Sequence, residues 1–588
     1  MNGLAREYVY LTTVLRTLWA LRKVKPDARR TIVDIVEGHA RRTPHAPAVF
    51  YLDQVMDYAA LDARANRYAN WAIAQGIKSG DCVGLLMENR PDFICAWLGL
   101  FKAGAAAALV NTNQRGAALV HSLEAVGVKH LIAGAELAQC FEDARALFTS
   151  PPRMWVQSGE DAELDLALAN AGDAPPPKSA RAAIVGKSRA FYIYTSGTTG
   201  LPKAANFSHM RMLFMMTGFV GALRPTSRDR IYDPLPLYHA TGGVCAVGMA
   251  FMVGGALVIK RKFSLGEFWA DIHKYDATIF AYIGELCRWL LNAPPGVHEQ
   301  DHKLRAITGN GLRAEIWESF QTRFNIPRVV EFYGATEGNV SMLNYDGTVG
   351  AVGRVPEYME WVLPTRVVRF DVESEMPVRG ADGLCIECGP TEPGEAVGGI
   401  SQRAGRNFEG YTKPGETEKK ILRDVFKRGD AWFRTGDLMR RDALGYFYFV
   451  DRIGDTFRWK GENVATSEVS EALLAVPGVR EANVYGVKVP GHDGRAGMAA
   501  LVVDAGFDMQ GLAARLVLPH FARPLFLRLA PETDVTATFK QKKVELVREG
   551  FDPASIADPV YWLNPAGGHY ERLDGVRYAA LITDQVKI

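Results

Sequence analysis

Residues Ile193 to Ala205 read IYTSGTTGLPKAA. A short apolar run gives way to small hydroxyl residues and glycines, and a lysine closes the stretch. The composition suits phosphate, but the spacing is not that of the P-loop G-x-x-x-x-G-K-[ST]. Gly197 and Gly200 stand too close together, Pro202 precedes Lys203, and no hydroxyl residue follows that lysine. Taken alone, the stretch reads equally well as a phosphate cradle or a plain turn. What flanks it decides between them.

On both sides the chain alternates strand and helix. Upstream, DCVGLLM (Asp81 to Met87) reads as a buried strand, and Asn89 is placed to cap the next helix, with Pro91 in its first turn. FICAWLGLFKAG carries helical spacing to Gly104; AAALV is a strand, Ala118 to Val126 a helix, and HLIA a strand. Residues 160–188 form a polar excursion leading into the loop. Downstream, IYDPLPL, ALVIK, ATIFAYI, LRAITGNG and VVEFYGATEG make a second series. This is an α/β architecture with largely parallel sheets covered by helices. After about residue 450 the texture changes. Thr466 or Ser467 is placed to cap a helix, EANVYGVKV and GMAALVVD read as strands, and a helix from Met509 to Leu518 precedes the strand-like LFLRLA. The expected division is an N-terminal segment 1–47, a large domain 48–450, a junction 451–456 containing Gly454, and a small α+β domain 457–588.

With 588 residues the chain exceeds what one core can organise, and its net charge of +2 gives no global argument for nucleic acid. Seven cysteines without a signal peptide suggest a reducing, cytoplasmic setting. Cys385 and Cys388 lack a second ligand pair for metal and lie on a segment that reads as a strand, so they are expected to be two partly buried small side chains. Ala240 to Ile259 is uncharged over a membrane-spanning length, yet Gly254-Gly255 splits it into a core helix and a strand. At the N-terminus, Tyr8, Tyr10, Leu11, Val14, Leu15, Leu18, Trp19 and Leu21 share one half of a helical wheel. Arg6, Thr12, Thr13, Arg16, Thr17 and Lys23 share the other, and basic residues continue through Arg22, Lys25, Arg29 and Arg30. Two readings stand: a helix lying on an anionic membrane surface, or one packed on its own domain or a partner subunit.

Other stretches add chemistry. YGATEG (Tyr333 to Gly338) ends a strand, where ligands gather in open α/β sheets. WFRTGDL places Asp437 beside a glycine turn suited to gripping two ribose hydroxyls; DRIGDTFRWKGENV adds Arg452 and Lys460, and TATFKQKKVEL adds Lys540. Each is weak singly. In this order they resemble the adenylate-forming superfamily of acyl-CoA synthetases, peptide-synthetase adenylation domains and luciferases, from about residue 40 onward. More narrowly, EFYGATEGN, WFRTGDL, DRIGDTFRWKGENV, TFKQKKVELVREGF, YIGELCRWLLN and the ending DPVYWLNP resemble the fatty acid transport protein (very long-chain acyl-CoA synthetase) family.

The resemblance implies a large adenylate-forming domain of βα-layered sheets and a small, mobile C-terminal α+β domain. It implies a ligase using ATP, Mg²⁺ and coenzyme A on a fatty acid. Thr195, Ser196, Gly197, Thr198, Thr199 and Gly200 would cradle the tail of ATP, and Lys203 would offset its charge. Gly309, Asn310 and Gly311 would let adenine approach, with Tyr333 and Gly334 beside it; Asp437 and Arg452 would fix the ribose. Thr336 would donate to the α-phosphate, Glu337 would hold Mg²⁺, and Lys540 would bridge α-phosphate and substrate carboxylate. One departure stands here, Ala537 where relatives carry glycine, with Lys542 and Lys543 as neighbouring lysines. His239, Gly242, Gly243 and Met249 would shape the acyl pocket, although small residues also let helices pack closely. Lys460, Gly461 and Glu462 would line a pantetheine tunnel, with Gly454 as the hinge. The expected setting is the cytoplasmic face of a membrane, peripherally attached. Oligomeric state is left open, a homodimer included. The alternatives are a ligase for a bile, steroid or aryl acid, an acyl-AMP ligase, and a fatty acid carrier with a vestigial site.

Overall fold

The computed structural model describes residues 3–159, 162–195, 201–401, 407–532 and 543–583. Contacts group the chain into two compact units, Met1–Pro364 with Gly398–Leu422, and Thr365–Val397 with Arg423–Ile588.

The first unit holds two sheets. One runs in the order Arg153–Gln157, His130–Gly134, Cys82–Leu86, Ala106–Leu109, Arg189–Thr195, Lys203–Ser208. It is parallel up to its last pair, which is antiparallel. Short apolar runs joined by helices leave strands buried on both faces, as parallel sheets require. In the other sheet Val329–Gly334, Ala306–Asn310, Ile279–Ile283, Arg230–Asp233, Ala256–Ile259 and Pro47–Tyr51 lie parallel. Ser341–Leu343 and Gln54–Asp57 close its edges antiparallel. Every strand expected from the apolar runs of this unit is present.

Asn89 does something other than cap. The helix Pro91–Lys102 starts after Arg90. Asn89 is buried, donates to Leu235 O (2.7 Å) and Lys260 O (3.0 Å), and accepts from Leu237 N (2.9 Å). Its amide clamps the segment leading to His239. Ala240–Ile259 divides as expected, into a π-helical turn Thr241–Ala246, a helix Val247–Phe251 and the strand Ala256–Ile259. No helix among the described residues is long and apolar enough to cross a membrane.

The N-terminal helix Gly3–Leu21 packs on its own unit, in an unexpected orientation. It is buried there at Tyr10, Thr13, Val14 and Thr17, so two threonines of the polar half face inward. A side-chain carbon on Gly221 would meet Thr17 Oγ1 at 2.0 Å, which shows how closely the two helices approach. Thr17 remains satisfied by donating back to Thr13 O (2.8 Å). Leu4, Tyr8, Leu11, Leu15 and Trp19 are left exposed as one stripe, Leu4 at 85% and Trp19 at 59%.

The second unit contains the sheet Val479–Val487, Ala496–Val503, Phe526–Leu529, Val560–Asn564, His569–Arg572, with Val484, Leu501, Phe526 and Trp562 in its core. The apolar centre of DPVYWLNP is thus a strand. The helix Met509–Arg515 stops short of Leu518, ahead of Pro519. The helix Thr466–Leu474 is not capped by Thr466 or Ser467, because its N-cap is Ala465. Instead the distant, buried Asp451 accepts Thr466 N and Thr466 Oγ1. Cys385 lies on an isolated bridge rather than a strand, and all seven cysteines are free thiols.

Candidate active site

In the first unit the quoted stretch closes a β-hairpin. Thr195 pairs with Lys203 across antiparallel strands. A P-loop instead feeds its glycines into a helix N-terminus. Ser196, Gly197, Thr198, Thr199 and Gly200 lie outside the described residues, as do Lys540, Ala537 and Lys542. Lys203 is engaged: its ammonium donates to Glu416 and lies 5.8 Å from the Tyr411 ring centre. That bond, and a second from Lys419, hold the Glu416 carboxyl down at about 2. Lys203 would therefore meet a phosphate as part of a pair rather than as a bare cation.

YGATEG follows the end of the strand Val329–Gly334, and the structure brings it to the hairpin. Tyr411, paired with Ala205, is the link. Its phenol is pushed up by burial and by the neighbouring Glu337 carboxylate, while the Thr195 hydroxyl acts the other way. Glu337 is buried, Thr336 half-buried and Gly334 exposed. Arg211, at the start of the helix His209–Leu223, donates to Ala335 O at 2.7 Å. Behind it Glu409 accepts from Ser208 N (2.8 Å), Ser208 Oγ (2.5 Å) and Asn407 Nδ2 (3.0 Å). Glu337 fits a role as a magnesium ligand, being a buried carboxylate with no cation bonded to it among the described residues.

The stretch Gly309–Gly311, at the end of the strand Ala306–Asn310, is held by its neighbours. Glu331, fully buried, accepts from Tyr282 Oη, Gly311 N and Leu312 N (3.2 Å). Burial pushes this carboxyl up to about 8 against those three donors. A side chain on Gly309 would strike Tyr282 O at 2.1 Å. Gly309 is therefore required by the adjacent strand, a different reason from nucleotide access. Gly242 and Gly243 are crowded in the same way, since an added carbon would meet Pro236 O at 2.8 Å and Leu237 O at 1.9 Å. These glycines let the π-helical turn press on the Asn89-clamped segment, so the close-packing alternative describes them. His239 is half-buried against Tyr238, ring centres 4.5 Å apart, and Met249 is fully buried.

In the second unit, Asp437 and Arg452 face each other across the strands Ala431–Arg441 and Tyr446–Arg452, with Nε and Oδ1 4.0 Å apart. Asp437 lies within the strand rather than beside a glycine turn, and the strand at Gly436 (φ 78°) is held by buried Glu395, which accepts from Arg434 Nη2 (2.8 Å) and Gly436 N (3.2 Å). Gly454 sits in a turn after this strand. Lys460 and Gly461 both have positive φ (51° and 84°) in a tight turn between Phe457–Trp459 and Glu462–Val464. An added carbon on Gly461 would meet nothing within 4 Å, so in this conformation backbone angle, not crowding, explains the glycine. Sequence reading missed Arg211, Tyr411, Glu409, Glu416, Glu331 and Glu395; of these only Glu331, which opens EFYGATEGN, lies in a quoted motif.

Residues 36–386 match the model of the family described as AMP-binding enzyme. Over 99% of this chain and 95% of the relative, the sequence is 39% identical to long-chain fatty acid transport protein 2 of Rattus norvegicus. It is 41% identical to long-chain fatty acid transport protein 1 of Mus musculus, over 97% and 90%. Among solved structures, ATP-bound MatB from Rhodopseudomonas palustris superimposes with a TM-score of 0.73 at 24% identity, covering 88% of this chain and 98% of that one. A Mycobacterium tuberculosis fatty acyl CoA synthetase gives 0.63 at 27% identity, with the same coverage.

Proposed function

The chain belongs to the AMP-binding enzymes and, within them, to the long-chain fatty acid transport proteins, and from that premise we propose that it is an ATP-dependent long-chain or very long-chain fatty acyl-CoA synthetase. The observation that carries this reading is Tyr411, which lies against Thr195 of the hairpin, Lys203 at its closing strand and Glu337 of YGATEG. Two motifs separated by more than a hundred residues thereby lie together, which supports reading them as one site.

A carboxylate is a poor acyl donor, because its leaving group would be oxide. Its attack on the α-phosphate of ATP gives an acyl-AMP and releases pyrophosphate; the thiol of coenzyme A then displaces AMP. Two anions must approach in the first step, so the work is charge neutralisation and positioning. Thr195 and the hairpin loop would hold the departing phosphates, with Lys203 lending charge from its pair with Glu416. Thr336 would donate to the α-phosphate, and Lys540 would join it to the carboxylate. Glu337 would hold Mg²⁺, whose charge offsets that of the phosphates. The turn at Gly311, fixed by Glu331, would seat adenine beside Tyr333, and Asp437 with Arg452 would hold the ribose. Residues 451–456 would serve as the hinge between the large domain 48–450 and the small domain 457–588, bringing Gly461 to the thiol in the second step. Coupling of this ligation to uptake would follow, since a thioester is trapped where it forms.

The test is an assay of AMP and thioester on purified protein with ATP, Mg²⁺, coenzyme A and acids from acetate to C24, plus cholate. Long-chain thioester with matching AMP, both lost in Lys540→Ala, is expected. AMP without thioester would make it an acyl-AMP ligase; fatty acid binding with no ATP consumed would make it a carrier.

We further propose that the exposed stripe Leu4-Tyr8-Leu11-Leu15-Trp19 rests on the cytoplasmic leaflet of a membrane. Arg22 and Lys23 stand 4.1 Å and 5.9 Å from the Trp19 ring centre. With Lys25, Arg29 and Arg30 they would meet anionic head groups beside an aromatic that favours the interface. Sedimentation with phosphatidylserine vesicles, weakened in Leu15→Asp and weak on phosphatidylcholine, is the expected result.

A further inference from the structure

We propose that Arg211 receives the carboxylate of the fatty acid where the acyl pocket meets the adenylation centre, an assignment that rests on the ligase reading above. Its backbone is fixed, since Arg211 N donates to the Ser208 cap of its helix (3.1 Å). One arm of the guanidinium is fixed as well, on the carbonyl of Ala335, directly before Thr336 and Glu337. The rest is not. Nε is buried and has no partner, and no carboxylate lies within ion-pair distance among the described residues. Burial depresses the guanidinium's affinity for its proton, against the pull of Glu409 and Glu337, and Cys245 is the next neighbour felt.

The nearby carboxylates do not take up the free donor. Glu409 is committed to Ser208 and Asn407, and Glu337 adjoins Tyr411. Arg434 shows what a settled arginine looks like in this chain, with Nε and Nη2 both bonded to the buried Glu395. A half-buried arginine whose buried Nε is idle is incomplete by comparison, and the partner it suits is a planar anion with two acceptor oxygens. Position selects which anion. Cys245 belongs to the π-helical turn Thr241–Ala246, which with His239 and Met249 would border the acyl chain, while Ala335 leads into the residues assigned to the α-phosphate and metal. Between a chain-binding wall and the adenylation residues, the group that must lie is the acid's head group. Arg211 would hold it there and offset its charge as it nears the α-phosphate.

The test compares dodecanoate with dodecanol, the same chain without the anion, by titration calorimetry on the full-length protein, alongside KM values for dodecanoate and ATP. Wild type should prefer the acid. In Arg211→Gln the affinity for the acid should fall roughly ten- to hundredfold, that for the alcohol should hold within about twofold, and the KM for the acid should rise with the KM for ATP nearly unchanged. Arg211→Lys should restore part of the preference, and it decides the question by the same ratio if the glutamine variant melts early. Acid and alcohol affinities that fall together, or a rise in the KM for ATP alone, would overturn the assignment and leave Arg211 a brace for the Ala335 loop. Because the binding ratio needs no turnover, a wild type that forms no AMP would refute the ligase reading without touching this result.

Discussion

Two sets of glycines in this chain look alike in sequence and behave as opposites in the structure. Gly243 and Gly309 are crowded, and a single added carbon would sit 1.9 Å and 2.1 Å from a backbone carbonyl. Gly454 and Gly461 stand in open space, with nothing within 4 Å of the same added carbon. The crowded pair is explained in full by the conformation at hand. The open pair is not: Gly461 answers to its positive φ, and Gly454 lies outside the positive-φ set altogether. A residue whose smallness is unused in one conformation is a reason to look for another, and both open glycines lie where the proposed hinge and thiol tunnel fall.

Substitutions can break or sharpen that contrast. The largest effect is expected from Gly243→Ala, where the carbonyl of Leu237 cannot yield without moving the segment clamped by Asn89. A stability loss of about 3 kcal/mol should appear as a lowered denaturation midpoint. Gly309→Ala should cost nearly as much, and what survives should show a raised KM for ATP, because Tyr282 and the Glu331 network shift with it. Gly461→Ala should cost only about 1 kcal/mol for the left-handed backbone. Single-turnover kinetics should then show acyl-AMP forming at its normal rate and thioester forming slowly. Gly454→Ala should leave the melting temperature unchanged and slow the thioester step alone; an unaltered second step in both variants would remove the argument for a hinge here. The smallest effect concerns the base of the hairpin. Glu416 has its folded pKa depressed from 4.5 to about 2, so its stabilising pair with Lys203 is present above pH 4.5 and is lost as the pH falls toward 2. Wild type and Glu416→Gln should accordingly differ in melting temperature at pH 7 and converge on acidification.

How much of this was legible in the sequence follows from the range of the forces involved. Strands such as Cys82–Leu86 and Ile279–Ile283 announce themselves because burial on both faces demands a continuous apolar run, a local property. The pairing of Asp437 with Arg452 was also within reach, since both come from neighbouring stretches of recognisable motif. Arg211, Tyr411 and Glu409 were not. Ala335 is 124 residues from Arg211, and Ser208 is 201 from Glu409, so no window of sequence contains both partners. Capping misled for the same reason. Asn89 and Thr466 have the right chemistry beside the right helices, but tertiary partners, Leu237 and Asp451, claim the groups first. At Gly309 the residue type was read correctly and its crowding was not, because a clash with a neighbouring carbonyl is invisible until the neighbour is in place.

The inward threonines of the N-terminal helix carry a consequence for how the protein would meet a lipid surface. A peptide that becomes helical only on contact with a bilayer gives up chain entropy at that moment, and its adsorption is steep and slow to reverse. Here the helix is already wound and docked, with Thr13 and Thr17 buried and Gly221 against it, and the stripe stands outward without any ligand. Adsorption would then resemble a solid keel settling into the interface. Each side chain should add its own increment, and residence should track lipid charge smoothly, with no threshold.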